Sequence, residues 1–425
     1  MKIILIYNNN HIILIIMKKM NSKNLKFKKT FIVLAFITIG GVSAQKISDN
    51  KFGKGMINFI AKDSSYSVKF APRIQTRYQS QWDYNEGSYD DPEYNFLVRR
   101  ARLKFDGFAF SPKLIYKIEL GLSNRDISGA SVYNRNTPRY ILDAVIKWKF
   151  YQNFELWAGQ TKLPGNIERV ISSGNLQLID RSLLNSKFNI DRDIGVQLRH
   201  KSNLGGKWVS REKISISQGE GRNITQGNIG GLQYTARFEL LPFGTFKSKG
   251  DYSQSDLVRE KSIKTMLGIT YDHNNNAVKT RSNMGSYMTQ SNGELFETDI
   301  NTLFIDGIVK YNGFSLMGEY AKRKAGTIEA LEQDGKTKTG AVVGVGSAIN
   351  MQGSYLFNNN IEMTIRYTNV DFDNITRLSD LTQLTYGISK YVVGHKLKIQ
   401  ADLSFSRSNE NKDYVLFRTG FDLHF

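Results

Sequence analysis

The chain has no cysteine, only six prolines in 425 residues, and far fewer acids than bases. The missing cysteine excludes disulfides, thiolate metal sites and cysteine catalysis. A mean hydropathy of −0.38 is too polar for a polytopic helical membrane protein, which needs repeated apolar runs of about 20 residues. Aromatics are not scarce: 25 Phe, 21 Tyr and 4 Trp rule out a disordered chain. The 36 glycines and few prolines suit a sheet-rich chain with tight turns. The length fits either several ordinary domains or one large β-architecture. With 58 Lys and Arg against 39 Asp and Glu the formal charge is +19, which suggests nucleic acid or a membrane surface as partner.

The N-terminus bears on that suggestion. A basic stretch (Lys23, Lys26, Lys28, Lys29) precedes the apolar run Phe31–Ile39, and Val42-Ser43-Ala44 follows as a small-x-small cleavage site. This is the order of a secretory signal, so residues 1–44 are expected to be removed. The apolar run is too short for a comfortable transmembrane anchor. The extra apolar patch in residues 1–16 points to a true start at Met17 or Met20. Removing residues 1–44 removes seven lysines and no acids, leaving 51 bases against 39 acids, or +12. A cationic exported protein is not expected to bind nucleic acid.

The remainder alternates with period two, the signature of strands. Val415, Phe417, Thr419, Phe421, Leu423 and Phe425 share one face of the last segment, and Tyr414, Leu416, Arg418, Gly420, Asp422 and His424 the other. Tyr140–Phe150, Leu232–Leu240 and Leu397–Phe405 alternate in the same way. About sixteen such segments occur between residues 66 and 425, with lengths that match tilted membrane strands. Very short turns such as Ser111-Pro112 and Asn312-Gly313 join some neighbours. Long polar connections, 79–94, 124–138, 163–191, 242–261, 273–297 and 324–344, join others and are expected together at the opposite end.

The fold class expected is therefore all-β: a transmembrane antiparallel β-barrel of about 16 strands with an inward-folded constriction loop. Residues 45–65 are expected as a periplasmic lead-in, and 66–425 as the barrel. A soluble β-sandwich is the alternative. Its strands are usually shorter, about five or six residues, and its buried faces carry few charges. Aromatics at strand ends (Tyr78, Phe108, Phe110, Phe150, Tyr151, Phe357, Tyr391) resemble interface girdles. The terminal Phe425 resembles the signal that barrel-assembly machinery reads in Gram-negative bacteria.

If the apolar parity faces lipid, the opposite parity lines the pore. That places Arg73, Arg77, Arg100, Arg102 and Lys104 inside, with Lys117, Lys147, Lys149, Arg199, Arg237, Arg366, Lys396, Lys398 and Arg418. Rings of fixed cations select anions at close range, whereas mixed charges only brace the wall by cross-strand pairing. Loops as long as 163–191 are usually functional. Folded inward, this one brings Lys162, Arg169, Arg181, Lys187 and Arg192 to a constriction; left outside, it is an exposed extracellular loop.

Three stretches resemble the phosphate-selective porin O and P family, especially Bacteroidetes-like members. They are Phe96–Leu103 with Gly107 and residues 113–116, Gly159–Pro164 with Glu168 and Asp180-Arg181-Ser182, and Asp191–Val196. The similarity spans roughly residue 66 to Phe425. It implies a sixteen-stranded outer-membrane barrel, commonly a homotrimer, that passes small anions such as phosphate. Arg100, Arg102, Lys162 and Arg181 fall on family-like motifs, while Gly165-Asn166 stands where Phe-Gly is usual.

Other chemistry is thin. His11, His200, His273, His395 and His424 show no metal-ligand spacing, and no nucleophile–base pairing is legible, so no enzyme activity, metal or cofactor is expected. The expectation is a passive outer-membrane porin. The alternative is a barrel scaffold in an envelope complex, its pore plugged or incidental; a barrel hydrolase ranks last.

Overall fold

The computed structural model describes residues 2–8, 11–17, 52–227, 229–410 and 413–425. Lys2–Asn8 and His11–Met17 form an antiparallel hairpin of their own. Most of the expected signal lies outside the described residues. From Arg73 onward, sixteen antiparallel strands close into one barrel. They are β1 (Arg73–Asn85), β2 (Glu93–Ala109), β3 (Ser111–Gly121), β4 (Ile141–Tyr151), β5 (Phe154–Lys162), β6 (Arg192–Gly205), β7 (Trp208–Ser217) and β8 (Gln233–Leu241). The second half is β9 (Lys264–Ala277), β10 (Thr298–Tyr311), β11 (Phe314–Ala325), β12 (Gly346–Leu356), β13 (Ile361–Phe372), β14 (Leu381–Val393), β15 (Leu397–Ser408) and β16 (Asp413–His424). Closure comes from β16, which pairs with β1 from Asp413↔Tyr84 to His424↔Arg73, so no wall strand keeps an open edge.

The period-two pattern sorts the two faces. On β10, Ile300, Thr302, Phe304, Asp306, Ile308 and Lys310 are buried inward, while Ile305 is 49% exposed on the outside. Leu267, Ile269, Tyr271, Ile214, Ile216, Tyr234 and Phe238 are likewise exposed. A soluble protein rarely carries so large an apolar surface, whereas lipid requires one. At the short-turn end Phe154 packs against Phe150 and Tyr151, and Tyr355 against Phe357. There the wall also gains a small annex, Ile57–Ile60 pairing with Ser67–Phe70, which continues onto β2 through Phe70↔Phe105.

One expected loop lies at the other end of the barrel. The connection 242–261 follows the eighth strand, and successive connections alternate ends, so it belongs with the short turns despite its length. It is long because it folds back into the barrel. Tyr252 donates to Glu239 (2.6 Å), and Lys310 donates to the carbonyls of Gly250 and Ser253 (both 2.8 Å).

The loop between β5 and β6 enters from the opposite end, with two short helices, α1 (Ile167–Val170) and α2 (Leu183–Phe188). Its apolar residues face one side of the inner wall. Ile167, Ile171 and Leu176 join Met266, Ile308 and Met317 in one cluster. Leu163, Leu184, Phe188 and Ile190 join Phe304, Ala321, Ala348 and Val370 in another. At about 1.5–3 kcal/mol for each large side chain buried, these clusters are the main force seating the loop. Gly387 leaves the necessary room: a Cβ there would stand 2.2 Å from Leu178 Cδ2.

Candidate functional site

With the loop against β9–β13, a passage of about 1400 Å³ remains along β2–β7 and β16. Among the described residues, 21 lysines and arginines line it against eight aspartates and glutamates.

The ends of α1 explain how the loop is held beside that passage. Its first amides meet acids of the wall: Ile167 N donates to Asp306 (3.0 Å) and Glu168 N to Glu319 (2.8 Å). The unusual Asn166 also donates to Glu319, at 3.0 Å. The last carbonyls meet cations. Lys162 Nζ donates to the carbonyls of Arg169 (2.7 Å) and Ile171 (3.1 Å), and Arg181 donates to those of Glu168 (2.8 Å) and Ile171 (2.7 Å). Acceptors at the helix start and donors at its end satisfy the orphan backbone groups. Lys162 and Arg181 therefore hold the loop as well as line the passage. Arg181 Nη1 has no hydrogen-bond partner among the described residues.

Asp180, near the loop tip, gathers arginines from three strands. Arg77 pairs with it, and Arg99, Arg100 and Arg418 lie at 2.6, 3.4 and 3.6 Å. Burial opposes its ionisation, yet Arg99, Arg100, Arg418 and Arg77 hold its pKa well below the usual carboxylate range. Arg418 also pairs with Asp402 at 2.6 Å, and the one carboxylate of Asp180 cannot neutralise the other three guanidinium groups. Arg73 sits lower on β1, 2.6 Å from Asp422 and 2.7 Å from Ser173 Oγ of the loop.

The remaining predicted residues are more fully paired. Arg102 meets Glu119 (3.1 Å) and Asp126 (3.0 Å), and Lys104 meets Asp106 (2.8 Å). Arg169 pairs with Asp191, and Arg192 lies 3.1 Å from Asp143. Arg73, Arg77 and Lys187 do not join the lining; Lys187 lies on α2, where Arg323 of the opposite wall binds its carbonyl at 3.1 Å.

Sequence alternation missed Arg99. The register shifts between Gln75 and Thr76 on β1, opposite Arg100 and Val98, so β2 carries a bulge that turns Arg99 and Arg100 inward together. The signal is in the sequence: outward apolar positions are even at Phe96 and Val98 but odd at Ala101 and Leu103. Arg222, in the loop after β7, was also missed. It donates to the carbonyls of Arg139 (2.9 Å) and Asp126 and lines the passage. Burial, then the charges of Arg139 and Arg192, push its pKa down to about 9, which leaves it charged at neutral pH.

The sequence matches the family "Phosphate-selective porin O and P" over residues 73–401. The chain is an outer-membrane porin of this family. Comparison with curated proteins gives no match. Among solved structures, the anion-selective porin from Comamonas acidovorans has a TM-score of 0.50 at 12% identity, covering 85% of this chain and 100% of its own. The outer membrane channel DcaP of Acinetobacter baumannii has a TM-score of 0.51 at 13% identity, covering 86% and 99%. At such identities the likeness is one of fold. In this porin the short-turn end is periplasmic and the 163–191 loop enters from outside.

Proposed function

We propose that this porin passes small anions by passive diffusion, with phosphate the leading candidate. One observation carries the proposal: among the described residues, cations outnumber acids along the passage and several have no carboxylate partner. Arg181 and Arg222 bond, among the described residues, only to carbonyls. Fixed guanidinium groups replace the water shell of an oxyanion by charge-assisted hydrogen bonds, in a shallow site that still permits release. A homotrimer is proposed with it, on the family resemblance.

Single-channel recording in planar bilayers tests the function. In a chloride gradient the reversal potential is expected to show anion selectivity, and added phosphate to block the chloride current. Arg181→Ala should relieve that block more than Lys162→Ala: both hold the loop, but Arg181 keeps an Nη1 without a hydrogen-bond partner among the described residues, whereas the Lys162 ammonium is shared among loop carbonyls. Selectivity without block would make this a general anion porin. Folded protein without conductance would favour the scaffold alternative.

A further inference from the structure

Trp157 lies on β5 below the constriction, four residues from Thr161 and so roughly 13 Å away along the strand at about 3.3 Å per residue. Its ring lines the passage. Lys147 Nζ is 3.8 Å from the ring centroid and Arg199 Cζ 3.5 Å. Both come from neighbouring strands: Lys147 is directly opposite on β4, and Arg199 is two residues from Gln197, its opposite on β6. The indole Nε1 donates to Glu155 at 3.0 Å, which fixes the ring.

Neither cation meets a carboxylate among the described residues. Arg199 donates to Gln197 Oε1 (2.7 and 3.2 Å), and the Lys147 ammonium has no hydrogen-bond acceptor among them. Arg199 also stands directly opposite Lys213 on β7. Lys213 is itself held by Glu239 at 2.5 Å, which leaves Arg199 as the cation of that pair without a carboxylate among the described residues. An aromatic face holds a cation through its quadrupole without cancelling the charge, whereas a carboxylate would hold it and cancel it.

We propose that Lys147, Trp157 and Arg199 form a second anion-binding rung on the periplasmic side of the constriction, which takes weakly hydrated monovalent anions of the iodide or thiocyanate type. The two charges supply attraction. The indole supplies a polarisable surface but, with Nε1 committed to Glu155, no free donor to replace lost water, so anions that shed water readily are favoured there. The rung deepens the anion-porin proposal and rests on it for direction of flow, but its binding is measurable without conductance.

The test is fluorescence of the full chain with Trp82→Phe, Trp148→Phe and Trp208→Phe, which leaves Trp157 as the single indole. Iodide, caesium and acrylamide are compared as quenchers, with folding checked by the heat-sensitive gel mobility of the barrel. Iodide should quench at least about threefold better than caesium once both are scaled to acrylamide, because the local potential is positive. Lys147→Met with Arg199→Met should bring that ratio close to one. If the double variant does not fold, Lys147→Met alone, which removes no hydrogen bond, should lower it. A ratio near one in the parent, or one unchanged by removing the cations, overturns the rung. Iodide preference in a barrel without conductance would leave the rung standing and sink the porin proposal; anion conductance with a ratio near one would do the reverse.

Discussion

The inner wall from β9 to β13 meets the 163–191 loop, whereas the wall from β2 to β7 meets the water of the passage. Both follow the same alternation. On the loop side the inward positions include Met266, Phe304, Ile308, Met317, Ala321 and Val370. On the water side they include Arg102, Lys117, Lys147, Arg199 and Lys213. Cations on the loop side act differently as well. Arg323 binds the carbonyls of Lys187 (3.1 Å) and Phe188, Arg366 that of Asp180 (2.9 Å) and, beyond this stretch on β15, Lys398 that of Leu176 (2.6 Å). There a lumen cation is a brace that closes backbone hydrogen bonds. Across the passage it is a source of field. Pointing inward thus does not by itself define a pore residue; reaching the passage does.

The largest expected effect comes from breaking the packed side. Phe188 is fully buried against Phe304, Ala321 and the loop's own Leu184. Phe188→Ala should cost the docked loop about 3–5 kcal/mol through lost contact and the cavity left behind. The barrel has its own hydrogen-bonded wall and should keep its thermal transition. Single-channel conductance should rise and become noisier, and limited proteolysis should cut within 163–191. Unchanged conductance with an uncut loop would mean that packing against this wall does not set the constriction.

That division was only partly legible in the sequence. Faces and strands could be read, because β10 and β16 alternate without interruption. The bulge at Arg99 was readable from the parity change between Val98 and Ala101. Lys162 and Arg181 fell on recognisable motifs, but their carbonyl bonds depend on α1 ending beside them. The gathering of Arg77, Arg99, Arg100 and Arg418 on Asp180 joins residues up to 341 positions apart. No spacing rule reaches that far. The 242–261 segment was misplaced because its length was weighed and the number of preceding strands was not.

A smaller effect sharpens the contrast through one cation from each side. Arg323→Gln removes two bonds from a charged donor to loop carbonyls, each worth about 1.5–3 kcal/mol. It should loosen the loop to protease and leave the anion-to-cation permeability ratio nearly unchanged. Lys147→Gln removes a cation without a hydrogen-bond acceptor among the described residues. It should lower the permeability ratio and leave the loop resistant. Reversal potentials and digestion of both variants form a two-by-two test. Equal effects of the two on either readout would erase the distinction between brace and field source.

The smallest effect concerns the outer mouth, where charge varies with pH. Glu220 lies in the loop after β7, and Lys279 in a hairpin after β9; Lys279 Nζ donates to the Glu220 carbonyl at 2.6 Å. Burial, then the charge of Asp193, pushes the Glu220 carboxyl up to about 8. Burial, then the charge of Arg139, pushes the Lys279 ammonium down to about 8. At pH 7 the acid is mostly neutral and the amine mostly charged. As pH rises to 9, Glu220 gains a negative charge and Lys279 loses a positive one, so both steps make the mouth less attractive to anions. The permeability ratio should therefore fall between pH 7 and 9, most clearly in dilute salt, where the Debye length is about 30 Å at 0.01 M. Glu220→Gln should remove part of that fall, and Lys279→Met the other part. A ratio that rose with pH would contradict both assignments, since neither titration can make the mouth more positive.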